Sequence, residues 1–416
     1  MASTVDVGWN ALDVNSDPVS EFYTRHPYPP PVDNLDRARD EWRDENRGRA
    51  EYHLMWPRRP YRANLDILVA GCGTWQAAKY AVCRPDARVV GIDVSASSIE
   101  HSARLKRQYN LANLELRWLA LEHVGELGRS FDLIVCTGVL HHLADPDAGL
   151  CALRAVLRPE GALYVMVYAP YGRIGVYMLQ DYCRKLRLGT SDPEIRNLVA
   201  TLQALPQSHP LVTLLRGSRD AQNPDALADA LLHPRDRSYS VPQLGDFIER
   251  NGLTFGRWYW QAPYLPQCGA MSTTPHANRL AALPEREQHA AMELWRGTMT
   301  CHSLVVRRSD AINDGVRFDG DQWLDYVPFR LPWTELIEER RPPGAAGVLL
   351  NKSHPFHDLV LVLHTEDKRL FDGIDGRRSI KEIADHAVGT DFSRARIFFE
   401  RLWRYDQVVF DASRAL

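Results

Sequence analysis

The pattern of apolar and polar positions changes character three times along the 416 residues. Up to residue 62 it is irregular and charged. Two features stand in that stretch: the aromatic, proline-rich run Phe22-Tyr23-Thr24-Arg25-His26-Pro27-Tyr28-Pro29-Pro30-Pro31 and a helical-looking segment, Leu35–His53. Consecutive prolines fix φ and favour extended backbone, which predicts a stiff strap over 27–31. From residue 63, short continuous apolar runs alternate with helical ones. Ile67–Ala70 ends in Gly71-Cys72-Gly73, and Gln76–Cys83 reads as helix. Arg88–Ile92 closes on Asp93 and leads into a helix over 95–109. Glu115–Leu119 and Phe131–Cys136 read as strands, followed by a helix over 147–157. A type I turn is expected at Arg158-Pro159-Glu160-Gly161, before the strand Ala162–Tyr168. Strands without polar alternation, spaced by helices, predict a mostly parallel sheet covered on both faces.

Residues 170–240 are polar and mostly helical, too long for a simple connection, and are expected to be an insertion over the ligand edge of the sheet. Leu253–Trp260 and Thr300–Arg307 complete the sheet as an antiparallel edge. Beyond residue 308, Leu359–His364, helices over 379–387 and 393–405, and Gln407–Phe410 predict a small module. The expected fold is α/β: a Rossmann-like, seven-stranded, mostly parallel sheet with a helical insertion and a small C-terminal α+β, winged-helix-like module. The expected divisions are 1–62, 63–308 and 309–416.

Composition narrows the class. Fifty basic residues against 53 acidic ones give no strongly basic face, which weighs against unaided nucleic-acid binding. Seven scattered Cys, with no CxxC pair, form neither a disulfide framework nor a zinc module, so no metal is expected and a reducing cytoplasm is the default compartment. No apolar run reaches the ~18–20 residues of a membrane span, and no secretory signal is visible at the start.

The chemistry begins at Gly71-Cys72-Gly73. Glycines after a first strand let the backbone approach a ligand closely, and Asp93, ending the next strand 20 residues after Gly73, can accept both hydroxyls of a ribose. The third glycine of a dinucleotide loop is missing, and Trp75 would crowd a pyrophosphate at the helix start. The loop therefore suits a single nucleoside-like ligand.

This series, with Phe131-Asp132-Leu133-Ile134-Val135-Cys136-Thr137-Gly138-Val139-Leu140-His141-His142-Leu143-Ala144-Asp145-Pro146 and Leu157-Arg158-Pro159-Glu160-Gly161, resembles class I S-adenosylmethionine (SAM) methyltransferases over residues 60–168. The resemblance implies SAM as cofactor and S-adenosylhomocysteine as product. It implies that Gly71, Cys72 and Gly73 pass under the methionine part, that Asp93 and Val94 hold the ribose edge, and that Ala120 and Leu121 flank the adenine. Thr137, Gly138 and His141 would line the floor, with Tyr23 closing over it. The chain departs from the family pattern at Val69, Trp75 and Ala120.

A narrower resemblance rests on Tyr23 to Pro29, His233-Pro234-Arg235-Asp236-Arg237-Ser238-Tyr239 and Leu370-Phe371-Asp372-Gly373-Ile374-Asp375-Gly376-Arg377-Arg378-Ser379-Ile380. These segments look like those of bacterial enzymes that methylate protein lysines, among them rickettsial outer-membrane-protein lysine methyltransferases and mycobacterial histone-lysine methyltransferases. That resemblance implies a protein substrate with an accessible lysine and allows a homodimer. His142, Tyr28, Tyr239 and Asp236 are the candidate catalytic residues, with Tyr168 as a further aromatic wall. Two other readings stand beside it: a methyltransferase acting on a small metabolite or lipid, and a non-catalytic SAM-binding regulator.

Overall fold

In a computed structural model, the structure describes residues 17–217, 223–311, 315–387 and 392–415. In chain order the elements are α1 (Pro18–Arg25), α2 (Asp36–Glu41), α3 (Glu45–Met55), β1 (Asp66–Ala70), α4 (Gln76–Cys83), β2 (Arg88–Asp93), α5 (Ala96–Gln108), β3 (Leu114–Trp118), β4 (Phe131–Thr137), α6 (Pro146–Val156) and β5 (Leu157–Tyr168). Then come α7 (Ile174–Leu186), α8 (Asp192–Gln203), α9 (Pro210–Gly217), α10 (Pro224–Leu232), α11 (Val241–Arg250), β6 (Leu253–Trp258), α12 (Ala277–Ala281), α13 (Glu285–Arg296) and β7 (Cys301–Arg308). The remainder holds β8 (Val327–Arg330), β9 (Thr334–Ile337), β10 (Gly347–Asn351), β11 (Val360–Leu363), α14 (Thr365–Asp372), α15 (Ile380–Ala387), α16 (Phe392–Arg404) and β12 (Val408–Asp411).

Seven strands form one sheet in the order β3-β2-β1-β4-β5-β7-β6. The pairs β1–β2, β1–β4, β2–β3 and β4–β5 are parallel, and β7 runs antiparallel to β5. This is the sheet expected from the apolar runs. Every residue of β1 and six of the seven in β4 are buried, because helices cover both faces. The sheet order reverses direction between β1 and β4, and ligands of open α/β sheets bind outside the carboxyl ends of the strands at such a point.

The expected type I turn at 158–161 is instead the irregular start of β5. The register jumps from Phe131↔Leu157 to Leu133↔Ala162, and Arg158 ties the bulge down by donating to Asp132 and Asp66, both at 2.6 Å. The long helix read over 35–53 is two helices. Asp44 interrupts it because its carboxylate caps the second one, accepting from the Asn46 amide at 3.0 Å.

Packing divides the chain into two compact units, each discontinuous. One comprises the chain up to Asp40, Ala63–Thr254 and Gly297–Asp310; the other comprises Glu41–Arg62, Phe255–Arg296 and Ala311 onward. This division differs from the boundaries at 62 and 308 expected from the sequence, since α3 and the 255–296 segment group with the C-terminal residues. In the first unit, the insertion helices α7 to α10 bury their own core of Val176, Leu179, Cys183, Leu198, Leu202, Leu211, Leu227 and Leu231. The second unit holds a three-stranded sheet, β11-β10-β9, and a β12–β8 pair. Its core includes Tyr326, Leu349, Phe371, Phe399 and Phe410. Trp258 stacks on Tyr264 there, rings 3.9 Å apart, as strand core rather than an exposed stacking surface. Among the described residues no helix is long and apolar enough to cross a membrane.

Candidate functional site

The carboxyl ends of β1, β2 and β4 converge on one loop cluster. Gly71 and Gly73 both adopt positive φ, +68° and +54°, which glycine reaches without a Cβ penalty. Gly73 donates its amide to Asp93 Oδ2 at 2.8 Å, and Ser95 donates its amide to Oδ1 at 2.8 Å. The Asp93 carboxylate is therefore fixed while each oxygen keeps a lone pair. Burial pushes its pKa up, and the N–H groups of Ser95, Gly73 and Val94 oppose the rise. The Cys72 thiol lies in the core and burial raises its pKa well above the ordinary value, so it is no nucleophile. The Cys72 amide donates to Ile92 O at 2.9 Å and joins the loop to β2.

Asp145 caps α6 by accepting from the Ala148 amide at 3.0 Å, the helix-start role read from Asp145-Pro146. Ala120 and Leu121 open a 3-10 turn, Leu121–Leu127, beyond β3. Trp118 holds this edge by donating its indole N–H to Val94 O at 2.8 Å. Gly138, at φ +79°, ends β4, and Thr137 accepts from Gln76 Nε2 at 3.0 Å.

The strap is a clasp with a helix at its start. In α1, Ser20 Oγ donates to Val94 O at 2.9 Å, and Ser95 Oγ donates back to Tyr23 O at 3.2 Å. On its other side Phe22 packs with Ile195 and Ala228 of the insertion. His26 bridges Asp225 and Thr190 O, at 2.9 and 3.1 Å. Pro29 O accepts from Thr74 Oγ1 at 2.7 Å, directly over the glycine loop.

Behind the clasp lies a buried cluster of rings. His141 is fully buried, 4.0 Å from the Tyr168 ring centroid and 4.2 Å from His142, and neither of its ring nitrogens has a hydrogen-bond partner. His142 Nδ1 donates to Arg235 O at 2.6 Å, which leaves a lone pair on Nε2. Its ring lies 3.9 Å from His233. His142, Asp229 and His233 are all buried and bring ligand-type atoms within 4.8 Å of one another. Tyr23 OH donates to Asp229 at 2.9 Å. Arg173 sits 3.5 Å over the Tyr168 ring and pairs with Asp236 at 3.3 Å.

Of the sequence candidates, Tyr23, His141, His142 and Tyr168 come together here. Tyr28 is near enough to Tyr168 for its charge to raise the Tyr168 pKa. Asp236 holds Arg173 and accepts from Gln180 at 2.7 Å. Tyr239 stacks on Phe247 and joins the cluster through its amide, which donates to Tyr168 O at 2.9 Å. Sequence reading missed Asp229 and Arg173, and named His233 only as part of a segment, not as a site residue. Asp229 did carry a signal: it is an acid on a helix face otherwise built of Ala226, Leu227, Ala228 and Leu231.

Burial, the largest cause, pushes His142 down to about 4 and His233 to about 3, and lowers His141 well below the ordinary 6.5. All three are neutral at pH 7 in the folded chain. The unfolded chain binds protons from about pH 6.5 downward, so stability present above that pH is lost as it falls toward the folded values. For His142 alone this amounts to about 3 kcal/mol. The thermal midpoint is expected to be level above pH 7 and to drop steeply between pH 6.5 and 4.5, with a shallower drop for His233→Gln. Calorimetry across that range checks this, and a level midpoint down to 4.5 would contradict it.

A family model described as a methyltransferase domain matches residues 68–163, which hold the glycine loop, Asp93 and the β4 end. An uncharacterized protein of Synechococcus is 30% identical over 325 residues, 75% of this chain and 76% of its own. A ubiquinone biosynthesis O-methyltransferase of Neisseria meningitidis is 26% identical over 144 residues, 32% of this chain and 59% of that protein. The structure of PKMT2 from Rickettsia typhi in complex with AdoHcy shares the fold with a TM-score of 0.60 at 17% identity, over 87% of this chain and 73% of that one. The fixed carboxylate, the glycine loop and the unpartnered His141 nitrogens suit a nucleoside-bearing sulfonium cofactor, and with these relatives the chain belongs to the class I SAM-dependent methyltransferases.

Proposed function

We propose that this methyltransferase acts on lysine side chains of proteins. The observation that carries the reading is the buried wall of His141, His142 and Tyr168 next to the glycine loop, together with neutral imidazoles. SAM supplies a methyl already made electrophilic by its sulfonium. In this reading Gly71, Cys72 and Gly73 carry its methionine part on their backbone, Asp93 and Val94 hold the ribose side, and Ala120 and Leu121 border the adenine. Thr137, Gly138 and His141 form the floor, and Tyr23 and Tyr28 close it. Asp236 and Tyr239 position the loop that carries Arg235 rather than touching the acceptor.

A lysine must become neutral before its nitrogen can attack. A desolvated pocket lowers an amine's pKa, and a neighbouring sulfonium disfavours a second cation. In this reading Tyr28 is the aromatic wall for the methylated ammonium, since the Tyr168 ring is already taken by the Arg173 guanidinium 3.5 Å over it and by His141. His142 cannot keep the proton. Burial pushes its pKa down to about 4, because an imidazolium there would be a poorly solvated buried cation. Its Nε2 lone pair orients the amine by accepting a hydrogen bond.

A small-molecule acceptor is the second reading, favoured by the ubiquinone O-methyltransferases similar to the core. Labelled SAM incubated with total bacterial protein and with the small-molecule fraction of the same lysate separates the two. Methyl-lysine in acid hydrolysates of the protein is the expected product. Label confined to small molecules would sink the lysine reading.

A further inference from the structure

The lysine reading leaves the acceptor's proton without a destination, since protonating His142 would keep an unpaired cation in the buried cluster. The cluster around His142 offers one other group. Asp229 lies on the insertion helix α10, is 5% exposed, and has ligand-type atoms of His142 and His233 within 4.8 Å. Tyr23 OH from α1 donates to it, which fixes one carboxylate oxygen. His233, at the end of α10, accepts the Arg235 amide on Nδ1 at 3.0 Å. In the neutral ring the proton is therefore on Nε2, and that buried N–H has no partner.

This arrangement also decides against a metal. His142 has the tautomer a metal needs, Nδ1–H on a carbonyl and a bare Nε2. His233 has the reverse, so its free nitrogen carries hydrogen and cannot ligate. The three groups present two acceptors, the Asp229 carboxylate and His142 Nε2, and one donor, His233 Nε2–H. A cationic amine fits the acceptors.

We propose that Asp229 is the residue that receives the acceptor ammonium and takes its proton. This rests on the amine reading above. The step balances. One N–H proton passes from the ammonium to an Asp229 oxygen, turning a buried ion pair into two neutral groups. The freed nitrogen lone pair forms the N–C bond while the S–C bond breaks and sulfur keeps the electron pair. The Asp229 proton leaves to water when the methylated ammonium departs. Burial favours this transfer because it removes two charges, whereas transfer to His142 would only move one. Among the groups facing Asp229 are Tyr23 on α1, His142 beyond β4, His233 on α10 and Tyr168 on β5. The Arg173 cation is balanced by Asp236, and Arg237 acts on His142.

The test is the pH dependence of methyl-lysine formation from labelled SAM, with total bacterial protein as limiting acceptor. The wild-type enzyme takes the ammonium form, so its rate is level from pH 7 to 9. Asp229→Asn takes only free amine, so its rate is at least ~100-fold lower at pH 7.5 and climbs about tenfold per pH unit. S-adenosylhomocysteine affinity by calorimetry stays within threefold of wild type. A wild-type rate that itself climbs tenfold per unit overturns the inference, whatever the variant does. Methyl-lysine formed with the same profile by both enzymes overturns it while leaving the lysine reading standing. Methyl found on no amine nitrogen overturns both. Titration with zinc chloride is expected to show no 1:1 site; a site lost in Asp229→Asn would overturn the amine assignment in favour of a metal.

Discussion

Asp93→Ala is expected to weaken SAM and S-adenosylhomocysteine binding by at least ~100-fold while the chain stays folded. A carboxylate accepting two ribose hydroxyls makes two charge-assisted bonds worth about 1.5–3 kcal/mol each, and about 1.4 kcal/mol is tenfold. The carboxylate is held ready for this by the Gly73 and Ser95 amides, each at 2.8 Å. It is kept against a cost. Burial raises the Asp93 pKa, so its charged form at pH 7 opposes folding rather than supporting it. Removing it should leave the ligand-free thermal midpoint close to wild type, apart from slack in the glycine loop. Isothermal titration with both ligands, beside calorimetry without them, reads the two effects separately. Affinity within threefold of wild type would remove Asp93 from the ribose site.

The loop around Asp93 was legible because its requirements are local. A strand must end, the backbone must turn through positive φ, and an acid must stand at the end of the next strand, and each requirement leaves a residue signature. The parallel sheet was legible for the same reason: β1 and β4 are unbroken apolar runs. Asp229 and His233 were not legible, because their meaning depends on α10 folding back onto Tyr23 and His142, some 206 and 91 residues away along the chain. Asp236 reads as a site acid because its segment resembles one in bacterial lysine methyltransferases. Its partner Arg173, 63 residues earlier, makes it a positioning group in the present reading. Helix α14 went unread since its apolar face is only Leu370 and Phe371. The grouping of α3 with the C-terminal residues depends on packing across more than 250 residues, which no local pattern carries.

Gly73→Ala is expected to weaken SAM binding by at least ~10-fold through the clasp rather than through the ligand's own contacts. At φ +54° an alanine costs about 1 kcal/mol in backbone strain. Its Cβ would also stand 2.8 Å from Pro29 Cδ and 3.1 Å from Tyr28 O. One of these is a stiff ring and the other is backbone, so the strap itself must shift. The Thr74–Pro29 bond at 2.7 Å resists that shift, and it links onward through α1 to Val94 and Ser95 on one side and to Asp225 and Asp229 on the other. A disturbance at Gly73 therefore reaches the Asp93 loop and the buried ring cluster together. Hydrogen exchange should show loss of protection over residues 19–26 in the variant, alongside the drop in affinity. Adding Pro29→Gly removes the ring that the new methyl meets but not the strain at φ, so it should restore part of the affinity and not all of it. Unchanged affinity and unchanged protection in Gly73→Ala would mean that the strap covers the sheet edge without gating the cofactor.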